Sequence, residues 1–109
     1  MASSGTVHQL VFTPDVAGQL IVRARFDGQR TFGSDWGAGA ECRLFMNQGG
    51  TTVYADAQPL GASRLKYALD HTFTVVGGVA VTCGLYAAVS GASAVAFWNI
   101  AISPEHIKK

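Results

Sequence analysis

A chain of 109 residues, 49% hydrophobic and only 14% charged, is the size of one domain, and folding removes roughly 60–70% of the surface such a chain exposes when unfolded. Its 8 basic and 7 acidic residues leave a formal charge of +1 with the basic groups dispersed, which excludes the clustered positive surface that a nucleic acid partner demands. So few charges solvate a large isolated surface poorly, a composition that points to self-association or to a place inside a larger assembly.

The opening "MASSGTVHQL" has neither the basic n-region nor the apolar h-region of a secretory signal. Residues 1–5 are expected to be a flexible leader or a cloning scar, and residues 6–109 a single β-sandwich domain. In "TVHQLVFTP", Val7, Gln9 and Val11 alternate with His8, Leu10 and Phe12, and Pro14 with Asp15 closes the strand. "GQLIVRARFDGQ" sets Leu20, Val22, Ala24 and Phe26 on one face against Ile21, Arg23 and Arg25 on the other, the pattern of a half-buried strand. The Asp27-Gly28 pair predicts a turn at its end.

Residues 31–40, "TFGSDWGAGA", form a Gly-rich stretch without the Lys or spacing of a P-loop and without the dinucleotide fingerprint. Phe32, Asp35 and Trp36 lie in it. An indole there can stack on a sugar ring while Asp35 or Asn47 supplies hydrogen bonds, which makes these four the candidate ligand-binding residues. The competing reading folds Trp36 back as a lid over the open end of the sandwich. "ECRLFMNQGGTTVYADAQ" predicts a hairpin with residues 47–50 as its connection. In "SRLKYALDHTFTVV", Leu65 and Leu69 match a helical spacing behind a capping Ser. The alternation of Leu65, Tyr67, Leu69, His71, Phe73 and Val75 is longer and favours a strand.

Residues 74–103 contain no Asp, Glu, Lys, Arg or His. Glycines at 77, 78, 84 and 91 interrupt that run too often for a membrane-spanning helix of about 20 apolar residues. Its pieces, "VAVTCGLYAAV" and "SAVAFWNIAIS", have strand lengths and composition. Residues 90–93 are expected to turn the chain, and the last strand to finish before Pro104. There Trp98 is grouped with Ala96, Ile100 and Ile102 against Phe97, Asn99 and Ala101. A strand apolar on both faces is either central or covered by a neighbouring subunit. Phe97, Trp98, His71 and Tyr86 are therefore the candidate oligomer-interface residues, and the small side chains of residues 87–96 permit close approach. The sum is an all-β fold, a jelly-roll-like antiparallel β-sandwich of seven or eight strands.

Cys42 and Cys83 both alternate with core residues, as two buried free thiols or as a disulfide between core strands. Neither has a Cys or His at ligand spacing, and His8, His71 and His106 fall in separate segments. The carboxylates sit at predicted turns and strand edges, where capping explains them. Asp70 and His71 are neighbours that a strand sends to opposite faces. No catalytic residue, metal site or cofactor is expected.

With "FTPDVAGQLIVRARFDG", "FTVVGGVAVTCGLYA" and the ending "FWNIAISPEHIKK", most of residues 6–109 resembles the small β-sandwich domains near the C-terminal ends of tailed-bacteriophage tail-tip, host-specificity and tail-fibre proteins. The resemblance implies a non-enzymatic virion module, a homotrimer for preference, that meets other virion proteins and a host surface glycan. It places the protein in the virion tail after synthesis in the bacterial cytoplasm, where reducing conditions suit unpaired thiols. It carries no residue-level binding motif. The alternatives are a carbohydrate-binding module of a secreted or surface protein, with an exposed aromatic platform, and a purely structural collar or spike.

Overall fold

A computed structural model describes residues 5–32, 40–61, 63–89 and 94–108. They form eight strands: β1 (Gly5–Phe12), β2 (Gly18–Phe32), β3 (Ala40–Gln48), β4 (Thr51–Tyr54), β5 (Gln58–Pro59), β6 (Leu65–Val75), β7 (Val81–Val89) and β8 (Ala94–Lys108). A five-stranded sheet runs β1-β7-β3-β4, with β5 also paired to β3, and a three-stranded sheet runs β6-β2-β8. All pairings are antiparallel. The two sheets face each other as a β-sandwich, and among the described residues β3, β4 and β5 are the only consecutive strands that stay within one sheet.

The alternation read from the sequence fills the space between the sheets. Leu20, Val22 and Phe26 of β2 meet Cys42 of β3 and Val81 and Leu85 of β7 in one interior, none more than 3% exposed. Removing an apolar side chain of this size from water contributes about 1.5–3 kcal/mol. The period-2 segment at 65–75 is a strand, β6, as the longer alternation favoured.

Local expectations fail at several places, each for a physical reason. Asp27-Gly28 does not turn. β2 continues to Phe32 because β6 and β8 flank it on both sides, and Gly28 pairs with Leu65 and Phe97. A Cβ on Gly28 would press on Leu60, Phe26 and Tyr67 at 3.2–3.4 Å, so glycine there makes room for side chains and not for a turn. The β3–β4 connection is shorter than residues 47–50: Asn47 and Gln48 pair with Thr52 and Thr51. Gly49 and Gly50 alone make the turn, with φ of 63° and 82°, the left-handed values of a two-residue hairpin loop.

In β8 the expected grouping of Trp98 with Ile100 and Ile102 is broken by a bulge opposite Phe26. The register jumps from Arg25↔Ala101 to Asp27↔Trp98, and Asn99 takes a φ of 54°. The extra residue resets the alternation. Val95, Phe97, Ile100 and Ile102 contact the core while Trp98 and Ala101 share the outer face. β8 is an edge strand and not a central one. It also runs past Pro104, which an edge strand tolerates where the missing N–H would point to solvent.

Residues 90–93, expected to turn the chain, and Asp35 and Trp36 lie outside the described residues. The expected leader boundary falls inside β1, because Gly5 already pairs with Ala87.

Candidate functional site

Residues with chemical potential are distributed over the outer faces and the open seams of the sandwich. On the outer face of the five-stranded sheet, Arg43 and Phe45 of β3, Tyr54 of β4 and Tyr86 of β7 come together because the pairings Arg43↔Tyr86 and Phe45↔Tyr54 place them side by side. Tyr54 meets Tyr86 edge-on with ring centroids 5.6 Å apart and tilts against Phe45 at 6.5 Å. The Arg43 guanidinium lies 5.7 Å from the Tyr54 centroid and donates to Glu41 Oε1 at 3.0 Å. On the outer face of the three-stranded sheet, Arg64 stacks 4.1 Å over Trp98 and donates to Asp27 Oδ2 through Nη2 at 2.9 Å and Nε at 3.2 Å. Arg23 donates to Glu105 Oε1 at 2.8 Å.

A cavity of about 280 Å³ opens in the seam between the sheets beside β6. Leu44 of β3, residues 55–58 and residues 68–71 of β6 line it. His71 sits at its mouth with its ring 4.7 Å from that of Phe73. A second space of about 390 Å³ lies at the opposite seam, between Thr6 and Val7 of β1 and Val95, Phe97 and Ile100 of β8.

Of the nominated ligand-binding residues, Asp35 and Trp36 lie outside the described residues. The backbone of Phe32 ends β2, and Asn47 is committed within the hairpin, where its amide donates to Thr52 Oγ1 at 2.7 Å. The four nominated interface residues do not share a surface. Phe97 faces inward, its ring 5.6 Å from that of Phe26. Trp98 lies under Arg64, Tyr86 belongs to the outer face of the other sheet, and His71 belongs to the β6 edge.

Tyr54, Arg43 and Arg64 were not singled out from the sequence. The signal for Arg43 was parity: with Phe45 it alternates with Cys42 and Leu44 and so lies on the outer face. Gln48 was also missed. Its amide accepts from Val76 N at 3.0 Å and donates to the carbonyls of Val76 and Val79 at 2.9 and 3.0 Å, tying the β6–β7 loop to the hairpin.

The two thiols are free and buried on neighbouring strands of one sheet. Cys42 pairs with Ala87 and Cys83 with Met46, an offset of about 13 Å along the strands at the usual rise per residue. That is beyond the reach of a disulfide, so the bridged alternative is overturned. Burial pushes the Cys42 thiol up to about 12, with the neighbouring Glu41 carboxylate adding to the shift, and burial alone pushes Cys83 up to about 11. Both are protonated at neutral pH and therefore poor nucleophiles and ligands. Among the described residues no three His, Cys, Asp or Glu gather as a metal-binding group. No protein-family model, curated protein or solved structure matches the chain.

Proposed function

We propose that the chain is a non-enzymatic assembly module, a β-sandwich subunit of a bacteriophage tail tip or fibre. The observation that carries the assembly half of this reading is the placement of exposed apolar side chains on every sheet edge. Val11 on β1 is 63% exposed, Tyr54 on β4 46%, Leu65 on β6 52% and Ile107 on β8 46%. Each of these strands is the outermost of its sheet. Scattered surface hydrophobics are ordinary, but apolar groups set along the edges of both sheets suit side-chain contact with a further chain. The scarcity of charge over the whole sequence supports the same reading.

The virion half rests on the resemblance of the strand sequences to phage tail modules. Two measurements test the halves separately. Size-exclusion chromatography with light scattering should give a multimer at micromolar concentration, and a monomer would remove the assembly role. Gold-labelled antibody to the protein should decorate the tail end of phage particles released by the bacterium carrying the gene; particles without label would remove the virion assignment.

One feature favours carbohydrate binding as the second reading: the partly exposed Tyr54 ring beside Tyr86, with the Arg43 and Glu41 side chains next to it, offers an aromatic surface with polar neighbours. A glycan array separates the two. Binding that is lost on Tyr54→Ala would favour the second reading over a purely structural one.

A further inference from the structure

Among the four edges, β6 alone is long and unguarded. It pairs with β2 from Gly18↔Val75 to Gly28↔Leu65 without any irregularity and contains no proline. The other edges are blunted by devices that discourage strand addition: a bulge between Thr6 and His8 in β1, a split into the short β4 and β5, and the Asn99 bulge with Pro104 in β8. Hydrogen bonding along β6 goes to β2 on one side, and among the described residues no backbone partner meets its other side.

The outward face of β6 carries Lys66, Ala68 and Asp70. Their neighbours across β2 are Asp27, Arg25 and Arg23. Asp27 is already bonded to Arg64, and Arg23 to Glu105. Among the described residues Lys66 and Asp70 are thus left exposed with no ion pair of their own, two opposite charges symmetrically placed about a small residue.

We propose that β6 pairs antiparallel with β6 of a second copy of this chain, about a two-fold axis through Ala68, to join the two three-stranded sheets into one. In this register Lys66 of each copy lies opposite Asp70 of the other, and residues 65–71 run alongside residues 71–65. Directly opposed unlike charges stabilise an antiparallel pair and like charges oppose it. Neighbouring registers lose this match. A shift one way sets Asp70 against Ala68, and a shift the other way sets it against Arg64, which Asp27 and Trp98 already hold. A further shift either way opposes Asp70 to Asp70 or Lys66 to Lys66. On the inner face the same register brings the exposed Leu65 of one copy opposite His71 of the other, at the mouth of the 280 Å³ seam cavity lined by Leu44 and Leu69. A two-fold contact of this kind is isologous and closed, so it ends at a dimer unless another edge adds to it.

This contact rests on the assembly reading and specifies its first interface. The test is sedimentation velocity and light scattering on the full chain and on four variants: Lys66→Asp, Asp70→Lys, Ala68→Lys and the swap Lys66→Asp with Asp70→Lys. The wild type should sediment as a dimer. Lys66→Asp and Asp70→Lys each replace attraction with repulsion twice, by symmetry, while Ala68→Lys sets two like charges against each other on the axis, and each of the three should raise the dissociation constant on the order of tenfold or more. The swap restores both pairs and should return the constant to near that of the wild type. All substituted positions are exposed, and an unchanged circular dichroism spectrum checks that each variant folds. A multimer of any size that none of the single changes weakens, or a swap that fails to rescue, overturns the β6 contact and leaves the assembly reading in place. A wild-type monomer at micromolar concentration overturns both.

Discussion

The three-stranded sheet ends in two edges built in opposite ways. β8 carries Pro104 opposite Val22 and a bulge at Asn99 that bends the strand, and both features frustrate the addition of a further strand. β6 has neither, only eleven residues in unbroken register with β2. The five-stranded sheet is guarded on both sides, by the β1 bulge and by the break between β4 and β5. Guarding three edges and leaving one plain concentrates the capacity for strand pairing in a single place, and fixes the orientation in which a partner can arrive.

The largest test of this contrast is to straighten a guarded edge. Deleting Asn99 removes the extra residue and swings residues 94–98 to the opposite face, taking Val95 and Phe97 out of the core and turning Trp98 inward. Expelling an aromatic and a branched side chain should cost roughly 3–5 kcal/mol, seen as a lower urea midpoint. Retention of wild-type stability would mean that the bulge is not what sets the facing of β8. The next largest effect belongs to β1. Gly84 of β7 lies beneath the bulged strand, where a Cβ would run into the His8 carbonyl oxygen and approach Gln9 Cα to 2.8 Å. Gly84→Ala forces backbone apart and should destabilise by about 1–3 kcal/mol. Faster amide exchange confined to β1 and β7 would locate the damage.

Much of the interior is legible in the sequence, because Leu20, Val22, Ala24 and Phe26 declare one face of β2 by period alone. The edges are not. Period separates inside from outside but says nothing about which strand lies next to which, so the exposure of β6 and the marginal place of β8 follow only from the pairing order. Asn99 was a missed signal: a polar residue inside an apolar strand, of a type that tolerates the left-handed region, suits a bulge. Asp27-Gly28 misled in the other direction. Its turn chemistry is real, yet two flanking strands and the cover of Phe26, Tyr67 and Leu60 hold Gly28 extended. The nominated interface residues are dispersed for a related reason. Phe97, Trp98, His71 and Tyr86 are all aromatic or heteroaromatic strand residues, but the bulge and the sheet order send them to different surfaces.

Both edges of the three-stranded sheet close over the same dry interior, and the two thiols report on it. Cys42 lies nearer the β6 side, its Sγ donating at 3.7 Å to the Gln58 carbonyl in the wall of the seam cavity. A thiol raised from its ordinary 9.0 to about 12 keeps its proton in the folded chain and loses it in the unfolded one once the pH passes 9. The unfolded state then binds fewer protons, so stability falls as pH rises above 9 and is fully present below it. Cys83, at about 11, acts in the same direction over a narrower window. Urea midpoints at pH 7, 9 and 10 should therefore decline, and the decline should be shallower in the Cys42→Ala, Cys83→Ala double variant, whose midpoint at pH 7 provides the baseline for its own lost packing. Equal slopes in the two proteins would show that the thiols ionise as readily inside as outside.

The smallest expected effect separates the two guards on β8. Pro104→Thr restores an N–H without touching the bulge and loosens the unfolded chain, which should lower stability by about 0.5 kcal/mol. The reading of β8 as a closed edge depends on which device does the closing. With Pro104 gone, residues 101–107 become a regular run carrying the exposed Ile107, long enough for a partner strand. Lys66→Asp weakens pairing through β6, so introducing Pro104→Thr into that background confines any new association to the opposite edge. Sedimentation velocity should then show a fraction of larger species that Lys66→Asp alone does not form. If the two proteins sediment alike, the closing of β8 belongs to the Asn99 bulge, because a strand bent at that point offers no straight ladder to pair with whether or not its proline is present.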